Sequence, residues 1–276
     1  MVQDNGLKIA VVGCGWLGFP LAKHFVKQGH NVIGTTTTLS KMNELETDGI
    51  QAYLLDFSVS FAEQNIDWLK GIDILILNIP PSKLGENYAI TLLNFVKLLP
   101  KQTKVVFVSS TSVYSDELDV AKEDLELEDD GHLNRSGSFV LDSEKLLNNE
   151  LKSHLTILRM SGLVGGKRHP AVFMSGKSYS FGNSPVNLVH LEDCIGVVEA
   201  VITQEKWGEV FNVCSPVHPE KKDLYTAVCK DLGIPLPRFK DCTKISKIVD
   251  GSKVCKVLGY EYKFKNPFDY PLNDLT

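Results

Sequence analysis

The sequence predicts an α/β fold, a doubly wound parallel sheet with a smaller C-terminal lobe, and three observations carry that prediction. Apolar runs of strand length alternate with amphipathic stretches of helical length as far as residue 160. The first apolar run ends in a glycine-rich turn that opens a helix. Beyond residue 161, glycines and prolines break the alternation and mark a change of architecture.

Residues 8–29 read KIAVVGCGWLGFPLAKHFVKQG. Ile9 to Val12 form a strand, glycine recurs at Gly13, Gly15 and Gly18, and Leu21, Ala22, Phe25 and Val26 follow at helical spacing. In a dinucleotide-binding unit the first glycine makes the turn. The second removes a Cβ so that backbone approaches a pyrophosphate, and the third lets helix pack on strand. The phosphates then meet unpaired N–H groups at the positive end of the helix. The pattern alone is weak, since an ordinary glycine turn before a core helix has the same spelling; its place after a buried N-terminal strand gives it weight.

A second strand follows at 31–34 and ends in Thr35-Thr36-Thr37-Thr38. A carboxylate here binds the ribose hydroxyls of NAD, and none is present. Small hydroxyls followed by Lys41 suit a 2′-phosphate, so NADP is the expected cofactor, with NAD as the other option. The competing reading is that the threonines cap the next helix. The third strand is predicted over 51–55, with Asp56 at its carboxyl end beside the adenine position. A helix is predicted over 61–70, closed by Gly71. Residues 72–77 form a near-continuous apolar run, typical of a parallel strand covered on both faces. Asn78-Ile79-Pro80 then opens over the cofactor. The predicted cofactor contacts are thus Gly13, Gly15, Trp16, Leu17, Gly18, Thr35, Thr36, Thr37, Lys41, Asp56, Asn78, Ile79 and Pro80.

A helix over 84–99 leads to a fifth strand at 105–108 and to Ser109-Ser110-Thr111-Ser112-Val113-Tyr114. Residues 115–138 are polar and acidic and read as a solvated loop or, more sharply, a mobile cover. A helix over 139–151 and a strand over 155–160 follow, then a helix over 192–203 and a strand over 209–213. The expected division is 1–162 as the dinucleotide domain, with 187–213 returning to it, and 163–186 with 214–276 as the substrate lobe.

Bulk properties exclude several classes. Lys and Arg number 29 against 34 Asp and Glu, a net charge of −5, which argues against nucleic acid as a partner. No apolar run approaches membrane-spanning length and Met1 leads straight into polar residues, so no membrane association and a cytoplasmic location are expected. The six cysteines, Cys14, Cys194, Cys214, Cys229, Cys242 and Cys255, lack zinc spacing and read as free thiols. Cys14 reads as a small filler inside the turn.

Taken together, VVGCGWLG, VSSTSVYS, LRMSGLVGGKRHP, NLVHLED, VFNVCSP and DGSKVCKVLGYEY make the whole chain resemble the extended or atypical short-chain dehydrogenases/reductases. Within these it is similar to the NAD-dependent epimerase/dehydratase-like proteins, and among them to the bacterial YeeZ-like group. The resemblance implies a Rossmann-type domain, an NAD(P) cofactor and a small-molecule substrate, anionic or a nucleotide sugar. It also implies a homodimer paired through helices of the nucleotide domain. Catalysts of the superfamily use a tyrosine four residues before a lysine. Matching their Y-x-x-x-K-x-x-x-E run to Glu144 puts Ser136 at the tyrosine and Val140 at the lysine, and neither side chain can do that work. Lys145 is displaced and reads as a surface residue. Ser110 matches the active-site Ser/Thr, while Thr111 and Ser112 stand where dehydratases carry Asp and Glu. Tyr114 is the substitute proton donor or a packing residue. Lys167, Arg168 and His169 hold an anionic substrate group or form a plain basic turn. His190, before Glu192 and Asp193, reads as a helix cap. Two functions follow: an oxidoreductase or epimerase-like protein lacking the Tyr-x-x-x-Lys pair, or a non-catalytic dinucleotide-binding sensor or regulatory module.

Overall fold

The structure, a computed structural model, describes residues 6–129, 131–240 and 246–273. The chain begins with β1 (Lys8–Val12), α1 (Gly18–Lys27), β2 (Asn31–Thr36), α2 (Leu39–Thr47), β3 (Gln51–Leu54), β4 (Ile74–Leu77), α3 (Tyr88–Val96) and β5 (Lys104–Ser110). It continues through β6 (Val120–Ala121), α4 (Arg135–Leu151), β7 (Leu155–Met160), β8 (Gly162–Val164), α5 (Pro170–Met174), β9 (Ser178–Tyr179), β10 (Leu188–His190) and α6 (Leu191–Thr203). The last elements are β11 (Val210–Val213), α7 (Lys221–Asp231), β12 (Arg238–Phe239), β13 (Ile248–Val249) and α8 (Ser252–Leu258).

Seven strands form one sheet in the order β11-β7-β5-β4-β1-β2-β3, a Rossmann-type arrangement in which β1 to β5 pair in parallel. The chain leaves β1 towards β2 on one side and returns to β4 on the other. A crevice therefore opens beyond the carboxyl ends of β1 and β4, the switch point at which such sheets bind ligands.

Two compact units divide the chain: Met1–Ser109, Asn134–Leu158 and Glu205–Val210 form the first; Ser110–Leu133, Arg159–Gln204 and Phe211–Thr276 form the second. The sequence placed the boundary at 162, whereas contacts place it between Leu158 and Arg159, and most of 187–213 groups with the second unit.

In the first unit β1 and β4 are buried from end to end apart from Lys8. Helix α1 lays Leu21, Ala22 and Phe25 on the sheet, and burying a Leu or Phe side chain contributes roughly 1.5–3 kcal/mol. Helices α3 and α4 pack on each other. Two sequence expectations fail here. The helix predicted over 61–70 is replaced by two 3₁₀ turns, Phe61–Glu63 and Asp67–Leu69. The Gln64 amide bonds the backbone of Asp56 through both its atoms, at 2.7 and 2.8 Å. Trp68 donates to the Asn65 carbonyl, and Phe57, Phe61 and Phe95 cluster, Phe57 and Phe61 edge to face and Phe95 tilted against both. Tertiary aromatic packing and a side-chain substitute for backbone bonds outweigh helical propensity. The helix predicted over 84–99 starts only at Tyr88, because Gly85 lies at φ 53°, in the left-handed region. Conversely, α4 starts four residues earlier than predicted, where the Asn134 side chain accepts from Gly137 N at 2.9 Å as an N-cap.

In the second unit three two-stranded pairs, β10 with β8, β12 with β9 and β13 with β6, are all parallel. Leu224, Tyr225 and Val228 of α7 pack with Val186 and Leu188 in its core. Asp193, fully buried in the first turn of α6, accepts from Tyr260 Oη and from the backbone N–H groups of Lys263 and Phe264. His190 caps α6 through Nδ1, as its sequence position predicts. The segment expected as a solvated loop or cover is tied down over 120–123 by β6 and by Glu123, whose carboxylate accepts from Asn212 N at 2.8 Å. No helix among the described residues is long and apolar enough to cross a membrane.

Candidate functional site

The glycine turn between β1 and α1 is held by bonds from the ends of two neighbouring strands. Thr35, at the end of β2, accepts from Gly13 N through its hydroxyl at 3.1 Å and from Cys14 N through its carbonyl at 2.9 Å. Asn78, just past β4, donates from Nδ2 to the Gly13 carbonyl at 3.0 Å. Gly13 sits at φ 95°, and a Cβ there would stand 2.3 Å from the Asn78 carbonyl oxygen. A Cβ on Gly18 would stand 2.2 Å from the Gly13 carbonyl oxygen. The protein itself therefore demands glycine at both places.

Gly15 differs. Its backbone is outside the left-handed region, and a Cβ there would meet no protein atom within 4 Å. Nothing among the described residues requires glycine at this position, whereas a ligand lying against the backbone would. Helix α1 begins without a side-chain cap and without an acidic residue in its first turn, so its positive end is open to an anion. These residues fit a dinucleotide pyrophosphate.

A cavity of about 320 Å³ extends from the turn along the carboxyl ends of the strands. Ten of the predicted contacts line it: Gly13, Gly15, Thr35, Thr36 and Thr37, then Lys41, Asp56, Asn78, Ile79 and Pro80. Trp16, Leu17 and Gly18 do not line it. Leu17 is directed into the core at 2% exposure and Gly18 is held against Gly13. Thr35, expected to face a phosphate, is 1% exposed and its hydroxyl holds the turn. Asp56 is fixed by Ser58, which donates to its Oδ1 from N at 2.9 Å and from Oγ at 2.7 Å. The predicted contacts missed Leu55, Phe57, Cys14, Ser58, Ser82 and Leu84 in the lining. Apolar residues flanking a strand end were the available signal for the first two.

Lys41 stands on α2 with its ammonium 5.9 Å from the centre of the Phe19 ring, inside cation–π range. Lys23 reaches the same ring at 5.4 Å and pairs with Asp48 at 2.8 Å. Thr38, the N-cap of α2, makes no side-chain capping bond. Cys14 is 3% exposed, its thiol donates to the Val11 carbonyl, and burial pushes its pKa up to about 12 against a smaller opposing pull from Thr35 and Lys41. It is a filler, as its sequence position predicts. Cys194, Cys214 and Cys229 are also buried free thiols, and Cys255 is exposed. Cys242 lies outside the described residues.

On α4, Ser136 is exposed in the first turn, Val140 is buried and Lys145 is exposed. Glu144 is buried and accepts from the Ser109 hydroxyl, tying the helix to the end of β5.

In the second unit, Ser110 Oγ accepts from Ser112 N at 3.1 Å, which leaves its own proton to donate elsewhere. Tyr114 is 2% exposed, and its hydroxyl accepts from Arg159 Nη1 at 2.7 Å. The hydroxyl's proton points to Asn212 Oδ1 at 2.7 Å, with the Lys122 carbonyl farther away at 3.1 Å. The Asn212 amide is oriented for this by donating from Nδ2 to the Ala121 and Asp250 carbonyls. A tyrosine hydroxyl has one proton, and protein groups occupy both of its roles here. Burial raises its pKa despite the Arg159 charge. Lys167 and Arg168 are exposed on a tight turn closed by mutual backbone bonds between Gly165 and Arg168. His169 is fully buried, its Nδ1 accepts from Ala171 N at 3.1 Å, and burial lowers its pKa to about 4. The three residues expected to act as one basic patch therefore split into an exposed pair and a neutral, buried cap.

Comparison with known proteins agrees with this geometry. The family described as the NAD binding domain of 6-phosphogluconate dehydrogenase matches residues 8–129. Protein YeeZ of Escherichia coli K12 is 35% identical over 274 residues, covering 96% of this chain and 99% of that protein. A conserved protein of unknown function from Silicibacter pomeroyi superposes with a TM-score of 0.80 at 21% identity, covering 97% of each chain. UDP-glucuronic acid 4-epimerase from Bacillus cereus in complex with NAD superposes with a TM-score of 0.76 at 19% identity, covering 98% of each. The last two likenesses establish the fold. The match over 8–129 supports a nicotinamide dinucleotide as the cofactor.

Proposed function

Since the chain belongs to the YeeZ protein family, we propose that it is an NADP-preferring oxidoreductase or epimerase-like protein of the short-chain dehydrogenase/reductase type, working without a Tyr-x-x-x-Lys pair. The observation that carries the cofactor preference is that Thr36, Thr37 and Lys41 line the cavity beside the end of β2, where NAD recognition calls for a carboxylate. Lys41 supplies a point charge for a 2′-phosphate, and the Phe19 ring keeps that charge near the site. The backbone of the turn and the uncapped start of α1 hold the pyrophosphate, and Asp56 lies on the adenine side.

Bound nicotinamide supplies hydride transfer. The chain's own contribution in this reading is Ser110, whose free proton is donated to a substrate oxygen. Tyr114 enters as a positioning residue, since its hydroxyl already serves Arg159 and Asn212. The UDP-glucuronic acid 4-epimerase neighbour acts, by its name, on a nucleotide sugar. A nucleotide sugar or another small anionic molecule is the substrate class proposed here. The second reading, a dinucleotide-binding module without turnover, is favoured by Ser136 and Val140 at the two catalytic positions of α4.

Calorimetric titration with NADPH, NADP, NADH and NAD tests the proposal. NADPH should bind at least tenfold tighter than NADH, and Lys41→Ala should remove about that factor, as expected for a charge-assisted phosphate contact. Equal affinities overturn the NADP preference, and silence with all four overturns dinucleotide binding. A metabolite screen for NADPH oxidation then separates enzyme from module, with Ser110→Ala abolishing turnover only if the first reading holds.

A further inference from the structure

Residues 61–70 carry a helical pattern and still do not form a helix, and Gln64 stands at the break. Its backbone is extended, at φ −114° and ψ 152°, and its side chain runs back to the loop that follows β3. Oε1 accepts from Asp56 N at 2.7 Å, and Nε2 donates to the Asp56 and Val59 carbonyls at 2.8 and 3.0 Å. One primary amide thus serves both backbone groups of Asp56 and the carbonyl three residues further on. An oxygen facing an N–H and a nitrogen facing carbonyls fix which way round the amide sits.

Leu55, Asp56, Phe57 and Ser58 line the cavity beyond the glycine turn, so the clamped loop is one of its walls. The wall is tied at three further points. Leu55 N donates to the Thr36 carbonyl at 2.9 Å, Phe57 packs on Phe61 and Phe95, and Ser58 donates twice to Asp56 Oδ1. Yet Ser58, Val59 and Ser60 are exposed, and water satisfies the backbone of such a loop without help from a side chain. Holding it still costs conformational entropy, and the helix that the local sequence favours is forgone. A loop ordered in advance offsets that cost when a ligand binds against it, because less freedom is then lost. Departures from local preference are expected at functional sites.

We infer that Gln64 is a positioning residue for the adenine half of the dinucleotide. Without lining the cavity itself, it holds the Asp56 backbone so that the wall of Asp56, Phe57 and Ser58 is in place before binding. The inference rests on the dinucleotide reading above and adds to it a residue outside the motif.

The test titrates AMP, the adenine half shared by NAD and NADP, and separately whichever of NADPH and NADH binds tighter, both followed by backbone amide NMR. Gln64→Met keeps the length of the side chain and removes its donors and its acceptor. It should weaken AMP about tenfold, the size expected for lost loop-ordering hydrogen bonds. The whole coenzyme should weaken by the same factor, because the loss sits in the half that the two ligands share. Gln64→Asn withdraws the amide by one methylene and should weaken AMP in the same direction, which keeps the test decisive if the first variant folds poorly. A residue that only stabilises the fold would lower the thermal midpoint and leave the affinity of the folded protein unchanged. AMP bound equally by wild type and variant therefore overturns the inference and leaves the dinucleotide reading standing. A loss much greater for the coenzyme than for AMP also overturns it, since the damage would then lie beyond the adenine half. Silence of the wild type with AMP, NADPH and NADH alike overturns the dinucleotide reading, and the inference with it.

Discussion

The first unit leaves one position answerable to a ligand, whereas the second joins groups, some of them as far as 131 residues apart, that mostly satisfy one another. Thr35 closes the glycine turn across 22 residues and Asn78 across 65. Tyr114 meets Asn212 across 98 residues, and Lys247 meets Asp116 across 131. In the first unit, Gly15 has a side-chain space that no protein atom fills. In the second, Tyr114, Arg159, Asn212 and Glu123 close a network whose members each serve another member. A residue type unexplained by its own neighbours points outward, and one fully explained by them points to stability.

That contrast can be broken most forcefully within the turn. Gly18→Ala drives a methyl against the Gly13 carbonyl and should cost about 3 kcal/mol or more, read by urea unfolding. A loss under about 1 kcal/mol would mean that the turn yields and that its glycines are not distinguishable.

The next effect belongs to the second unit. His169 stays neutral in the folded chain down to about pH 4, while the unfolded chain takes up a proton near the ordinary value of about 6.5. The unfolded state binds the extra proton between those values, so folding stability falls as pH drops from about 6.5 to about 4 and levels off below. The loss should reach on the order of 3 kcal/mol. His169→Asn keeps a capping acceptor without the titration and should flatten this slope in a pH series of melting curves. An unchanged slope would place the titrating group elsewhere.

Tyr114→Phe leaves Arg159 and Asn212 short of a partner and should cost about 2 kcal/mol. Unaltered stability with lost turnover would instead return Tyr114 to catalysis and erase the contrast between the units. The smallest expected effect on stability is at Gly15→Ala, within about 0.5 kcal/mol. The same change should abolish most calorimetric heat with dinucleotide, since the methyl occupies the space of the pyrophosphate. Normal binding by this variant would leave Gly15 without an explanation.

The same difference in sequence separation decides what could be read without coordinates. The strand over 155–160 and the buried run before Asn78 were legible because covered parallel strands spell themselves as apolar runs. The turn was legible because its glycines are separated by one and two residues. The helix predicted over 61–70 failed because Gln64 and the aromatic cluster of Phe57, Phe61 and Phe95 act from outside the local pattern. Trp16, Leu17 and Gly18 are assigned to the ligand by motif spacing, and they do not line the cavity. Nothing in KRHP distinguishes an exposed Lys167 from a fully buried His169. The Lys247–Asp116 ion pair had no sequence signal at all, since its members lie 131 residues apart.

The distribution of thiols has a practical consequence. Cys14 stands within the nucleotide cavity, yet at neutral pH its sulfur is almost wholly protonated and sealed from solvent. Cys194, Cys214 and Cys229 are equally sheltered. Alkylating reagents and mild peroxide should pass over the pocket, and in a Cys242→Ser background a maleimide fluorophore should attach on α8 at Cys255, so that a reporter dye can be installed while the coenzyme crevice stays intact.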